Sequence, residues 1–399
     1  MFTEKQLERY ADVLLWGLKT ARRDRFRKND IILIRYQAPA RRLAEILYTR
    51  VLAMGMHPVQ RLILTADMER NFFKLSNPRQ LTFKTPGDRE LYENLSGNIF
   101  LHAPESITHL SDIDSGKIGK AAVANKYIRD ILNRREDKGL FGWTLCTFPT
   151  KALAHHARMS QKAYADEIIN ACFLNKQSPV THWEDIFKAA IEIKKWLNRM
   201  PVAYYHIESE RIDLMVAPGE KRKWIGISGH NIPSFELFIS PDWRETRGIY
   251  FADQPSYRSG NYVKNVRLEF KKGKVTDIRA TTGLAFVKTQ LSMDAGAGRL
   301  GEFSLTDKRF SRVGRFMANT LFDENFGGQY GNCHVALGSS YSDTFDGDPG
   351  QLTQALKKKL GFNDSALHWD LVNTENKCVT AHMVSGEKTV IYKDGQFTL

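Results

Sequence analysis

The periodicity of this sequence changes once, near Pro201, and that change limits the fold more than any other feature. Upstream, short apolar runs alternate with helix-length segments. "IILIRY" (31–36) precedes "PARRLAEILYTRVLAMGM", and "VQRLILT" follows. Strand, helix, strand at this spacing predicts a βαβ unit and a parallel sheet. "GNIFLHA" and "GLFGWTLCTFP" repeat the pattern around the helical "KIGKAAVANKYIRDILNRRED". "SQKAYADEIINACFL" and "VTHWEDIFKAAIEIKKWLNRM" have helical periodicity, with Ser160 and Thr181 as N-caps. Beyond Pro201 the runs "AYYHIES", "RIDLMVA", "WIGIS", "ELFISP", "EFSLT", "HWDLV" and "KTVIYKDGQF" read as strands. "VRLEFKKGKVTDIRA" reads as a β-hairpin turning at Gly273.

A chain of 399 residues exceeds one ordinary hydrophobic core, so two domains are expected. Residues 1–200 read as an α/β domain with an open, Rossmann-like parallel sheet and trailing helices. Residues 201–399 read as a strand-rich α+β domain. With 42% hydrophobic and 26% charged residues, the composition is that of a soluble globular protein. No stretch approaches the ~20 apolar residues of a membrane span. The opening "MFTEKQLERYADVLLWGLKTARR" reads as an amphipathic helix, because acidic residues interrupt it and no small-residue cleavage site follows. Cys146, Cys172, Cys333 and Cys378 are scattered without a CxxC pair. That excludes a zinc ribbon and favours a reducing, cytoplasmic setting.

The net charge of +13 raises nucleic acid as a partner. The densest basic cluster, "ARRDRFRKND" (21–30), has no interleaved aromatics to stack bases, so a solvated helix end is the favoured reading.

The second half places acids and imidazoles in apolar company. In "NDSALHWDLV" (363–372), His368 and Asp370 are two apart, so on a strand they share a face. Glu236 heads "ELFIS", Glu302 heads "EFSL", and His334 follows Cys333 in "GNCHVALGSSY", with Tyr341 seven residues on. Each alone reads as an exposed strand end or a hydrogen-bonded core group. Several buried carboxylates together need compensation, and a metal provides it. Carboxylates with two histidines make the mixed oxygen and nitrogen shell of zinc, cobalt or manganese in hydrolases. "GAGRLG" (296–301) matches G-x-G-x-x-G but runs into a strand rather than a helix, so it fails as a dinucleotide loop. Glycines allowing close backbone approach beside a site explain it better.

Five of these stretches, in order, carry a resemblance: "NIPSFELFISP", "GAGRLGEFSL", "LFDEN", "NCHVALGSSY" and "HWDLV". From about residue 150 onward the chain resembles the thermophilic metallo-aminopeptidase family, of the aminopeptidase T and aminopeptidase S type. "ARMSQKAYADEIINACF" and "PVTHWEDIFKAA" add weaker matches.

By position, the resemblance implies metal ligation by Glu236, Glu302, His334, His368 and Asp370, with Tyr341 at the centre and Glu324 as a further acidic position. "FGGQYG" after Asn325 lengthens the spacing from Glu324 to His334 relative to the family's shorter form. The resemblance further implies two divalent ions (zinc, cobalt, manganese or magnesium), Glu302 or Asp370 as the bridging carboxylate, and catalytic roles for Glu236 and Tyr341. It implies a cytoplasmic homodimer acting on peptides with a free N-terminus. A dinuclear-metal phosphoesterase acting on nucleic acid and a metal-free binding protein are the competing readings.

Overall fold

The computed structural model describes residues 2–399. The chain forms two compact units, Met1–Asp185 with Ser228–Ser234, and Ile186–Ile227 with Phe235–Leu399. The division falls inside the helix Pro179–Asn198, and a seven-residue run returns to the first unit.

In the first unit the expected βαβ pattern is present. Strands β1 (Ile31–Tyr36), β2 (His57–Leu62), β3 (Gly97–His102) and β4 (Gly142–Thr147) lie parallel in the order β2-β1-β3-β4, and Asn231–Ile232 adds a fifth strand beside β4. The helix Glu4–Ala21 begins with a capping box. The Thr3 hydroxyl accepts from the Gln6 amide, and the Gln6 side chain accepts from the Thr3 amide. Leu7, Tyr10, Leu14 and Leu18 form its buried stripe at helical spacing. Ser160 caps the helix Gln161–Ala171 as expected. Thr181 lies inside Pro179–Asn198 instead of capping it, because Pro179 fits a first helical turn without losing a bonded N–H. Arg22 of the basic cluster is buried and paired with Asp30 at 2.6 Å, so that cluster is partly structural.

The second unit packs two antiparallel sheets over one core. The larger has eight strands, running from Lys274–Arg279 at one edge to Gln396–Phe397 at the other. The smaller contains β5 (Glu236–Ile239), β6 (Leu300–Thr306), β7 (Asn332–Gly338) and β8 (His368–Asn373), in the order β8-β7-β6-β5, with Ile225–Gly226 outside β5. Tyr205, Ile207, Leu214, Tyr250 and Leu268 of the larger sheet meet Leu237, Phe303, Val335, Leu337 and Trp369 of the smaller. Each fully buried side chain of this size contributes about 1.5–3 kcal/mol. The Tyr250 hydroxyl crosses between the sheets and donates to the carbonyls of Cys333 at 3.1 Å and Leu371 at 2.7 Å. The "KKGK" hairpin turns at Lys272 and Gly273, both with positive φ, as a two-residue hairpin loop requires.

Candidate metal centre

Strand parity builds the site. In β5 to β8 the odd-numbered residues Leu237, Ile239, Phe303, Leu305, Cys333, Val335, Leu337, Trp369 and Leu371 enter the core. From Glu302 onward in β6, and along β5, β7 and β8, the even-numbered residues face the other way. Cross-strand pairs Glu236–Thr306, Ser304–His334, Glu302–Ala336, Ala336–Asp370 and Gly338–His368 share that second face. Glu236, Glu302, His334, His368 and Asp370 therefore project from four adjacent strands onto one face. Ser304, Ala336 and Gly338 between them are small and leave room for the longer side chains.

Glu302 reaches this face only through a bulge. Leu300 pairs with Leu337, yet Glu302 pairs with Ala336, so β6 spends an extra residue at Gly301. Without it, Glu302 would share the face of Leu300, which is buried in the core. A Cβ at Gly301 would sit 2.5 Å from the carbonyl oxygens of both Gly338 and Ser339, so only glycine fits. The last glycine of "GAGRLG" is thus a device for aiming a carboxylate. Gly301→Ala is expected to destabilise the protein by about 1–3 kcal/mol through that overlap and to lower metal uptake. Thermal melts and metal analysis of the purified variant check this, and wild-type values in both would show the bulge to be dispensable.

The converging groups are close. The His334 Nε2 atom lies 3.1 Å from Glu302 Oε1, 3.2 Å from Glu236 Oε2 and 4.0 Å from Asp370 Oδ1. The His368 Nε2 atom lies 3.3 Å from Asp370 Oδ1 and 3.8 Å from Glu302 Oε2. The two oxygens of Glu302 thus address different imidazoles. Ser304 Oγ donates to Glu236 at 3.2 Å. His368 donates Nδ1–H to the Ser339 carbonyl at 2.9 Å, which leaves Nε2 as its free nitrogen toward the carboxylates. Tyr341 stands at the rim, 38% exposed, its ring 4.8 Å from that of His368 and its amide bonded to Ser240 Oγ.

Glu324 caps the short helix Thr320–Asp323 and joins the same electrostatic cluster. The longer "FGGQYG" segment does not carry it away. The Asn332 side chain donates to the carbonyls of Glu324 at 2.9 Å and Phe326 at 2.7 Å, folding the insertion back on itself. Two supporting residues were missed in the sequence. Asp294 accepts from Ser365, Ala366 and Gly296, and Asn363 donates to the Gly296 carbonyl. Together they tie the glycine run to the approach of β8. Asp and Asn followed by small residues are ordinary turn signals, so nothing set these apart.

Burial and mutual charge shift the titrations of the metal-free cluster. Burial pushes Glu236 up to about 8; the His334 charge opposes this, and Glu302 and Asp370 add to it. Burial followed by the Glu236, Asp370 and Glu302 carboxyls pushes Glu324 well up. For both histidines burial opposes protonation, but the facing carboxylates outweigh it and raise them to about 9. Burial likewise opposes ionisation of Asp370, yet His368, His334 and Arg258 hold it at about 2.

The chain combines a parallel α/β unit with an antiparallel unit that carries a buried carboxylate–imidazole face, the donor set of a metal-binding hydrolase. The chain matches the thermophilic metalloprotease (M29) family over residues 3–397 and belongs to it. It is 28% identical over 268 residues to aminopeptidase AmpS of Bacillus subtilis, covering 64% of this chain and 63% of that protein. It is 27% identical over 270 residues to aminopeptidase T of Thermus thermophilus, covering 65% and 63%. Both alignments span less than two thirds of the relative. The solved structure of wild-type AmpT from Thermus thermophilus superposes with a TM-score of 0.80 at 20% identity, covering 99% of this chain and 100% of that one, and shows the same fold.

The family implies a divalent metal, and the residues present fit one. One ligand atom each from Glu236, Glu302 and His334 lie within 4.8 Å of one another, and all three side chains are buried. The His334 Nδ1 atom is buried with no hydrogen-bond partner, and Nε2 is the nitrogen that faces Glu236 and Glu302. Oxygen donors with two imidazoles suit zinc, cobalt or manganese.

Proposed function

We propose that this chain is a metal-dependent aminopeptidase that releases N-terminal residues from peptides at a dinuclear centre. Glu236, Glu302, Glu324, His334, His368 and Asp370 would hold zinc, cobalt, manganese or magnesium, with Tyr341 beside them. The observation that carries this reading is the convergence of five donors from four separate strands on one face of β5 to β8. Membership of the metalloprotease family and two relatives named aminopeptidases support the exopeptidase assignment.

When bound, the metal pair supplies a water acidic enough to attack at neutral pH and a Lewis acid for the scissile carbonyl. Glu302 or Asp370 would be the carboxylate shared by the two ions, and the Glu302 oxygens already point to different imidazoles. Glu236 is the proton carrier, taking a proton from the attacking water and returning it to the leaving amine. Tyr341 Oη donates to the oxyanion that forms on the substrate carbonyl. A neutral α-amino group on the substrate would serve as a further donor at this centre, which would select a free N-terminus. A cytoplasmic homodimer completes the reading. No helix among the described residues is long and apolar enough to cross a membrane.

Chromogenic aminoacyl substrates offered to metal-free and metal-loaded protein test the assignment. Hydrolysis is expected only with metal, and at least about tenfold slower when the amine is acetylated, since the amine's interaction is worth about 1.4 kcal/mol or more. Equal rates on blocked and free substrates would end the aminopeptidase assignment and leave a general metal hydrolase.

A further inference from the structure

We propose that Arg258 is a positioning residue that fixes the ligand strand β8 against the metal centre, an inference resting on the function proposed above. Arg258 ends the first strand of a hairpin, Ser256–Arg258 paired with Asn261–Val263. The turn between them uses Ser259 and Gly260, both with positive φ, which gives a tight two-residue loop and a fixed exit direction for Arg258.

Two consecutive residues of β8 meet this one side chain. Arg258 Nη1 donates to the His368 carbonyl at 2.9 Å. Its guanidinium carbon lies 5.6 Å from the centre of the Trp369 ring. On the other side, Nε approaches Gln290 Oε1 at 3.4 Å. Ser256, on the same short strand, accepts from Trp369 Nε1 at 3.1 Å.

The consequence is specific to the metal centre. The ring of His368 is already oriented by the Ser339 carbonyl, and Arg258 fixes the main chain of the same residue from a different element. His368 is thus held at both ends, and Asp370, two residues on, moves with it. Arg258 does this without occupying a ligand position. The planar guanidinium serves the carbonyl, the Gln290 amide and the indole face together, which a lysine ammonium cannot do.

Cobalt alone, titrated into metal-free full-length protein and followed by visible absorption, tests this. Arg258→Ala is expected to weaken cobalt binding by about 10–100-fold and to change the position or intensity of the absorption bands. Its kcat should fall more than its KM rises, because β8 is misplaced and the substrate contacts are not. Ser256→Ala removes the bond to Trp369 Nε1 and leaves the guanidinium contacts in place, and is expected to stay within about twofold of wild type. A wild-type affinity and spectrum in Arg258→Ala would overturn the proposal, as would an equal loss in Ser256→Ala. Should Arg258→Ala not fold, Arg258→Lys takes its place, and full recovery of affinity and spectrum by lysine would also overturn it. Wild-type protein that takes up no cobalt is a separate outcome and removes the metal centre itself.

Discussion

Freed of divalent cations by chelation, the protein is expected to stop hydrolysing peptides and to melt about 5–10 °C lower than with saturating metal. Ligand at about 100 times its Kd stabilises by about 2.7 kcal/mol, and each kcal/mol moves the melting point of a unit of this size by about 2–4 °C. The gap between the two forms should widen from pH 6 to pH 9. In the metal-free form Glu236 is raised to about 8 from an ordinary 4.5, and His334 and His368 to about 9 from 6.5. Each of these groups binds its proton more tightly when folded. Its contribution is full below the ordinary value and disappears as pH rises through the shifted one. Asp370 runs the other way, at about 2 against 3.8, and its contribution is lost only in strong acid. Metal-free protein should therefore be most stable near pH 4–6 and weaken toward pH 9. Metal binding displaces the same protons, so affinity rises over that range. Paired calorimetric scans across pH measure both trends, and a gap that narrows with pH would remove these carboxyls and imidazoles from the binding site.

The second large effect is expected at Glu302. Glu302→Gln keeps the shape of the side chain and removes the charge that faces both imidazoles. Loss of kcat/KM on the order of a thousandfold, about 4 kcal/mol at the transition state, should accompany a fall in bound metal. Because β6 lies inside its sheet, backbone structure by circular dichroism should be retained. Full activity with full metal stoichiometry in this variant would exclude Glu302 as a bridging ligand.

How far the sequence revealed this arrangement depended on the range of each signal. His368 and Asp370 were legible because their relation is local, two residues apart on one strand. The βαβ order of the first unit was legible for the same reason, since apolar runs and helical stripes repeat within short windows. The return of Asn231–Ile232 to β4 was not, because "SGHNIP" has no apolar run and its partner Leu145 lies far upstream. Glu302 stood out at the head of "EFSL" and took its ligand role from the family resemblance, while the reason it faces the site was hidden. The bulge depends on which residues of β7 it meets, and a glycine run announces only freedom. Glu324 was left in doubt by the insertion that follows it, and the Asn332 bonds that close that loop are tertiary. Arg258 carried no signal at all: one arginine among 58 basic residues on a short hairpin has nothing to distinguish it until β8 is placed beside it.

The extra residue at Gly301 makes length, rather than composition, the vulnerable property of β6. Core and acidic face occupy opposite sides of the same strand, so deleting a single amino acid ahead of Glu302 would exchange them, sending an acid into the oily interior and turning Phe303 toward the other carboxyls. Substitutions at the even positions retune reactivity and those at the odd positions retune rigidity. A one-residue gap does neither gradually; it inverts the sheet's division of labour in one step.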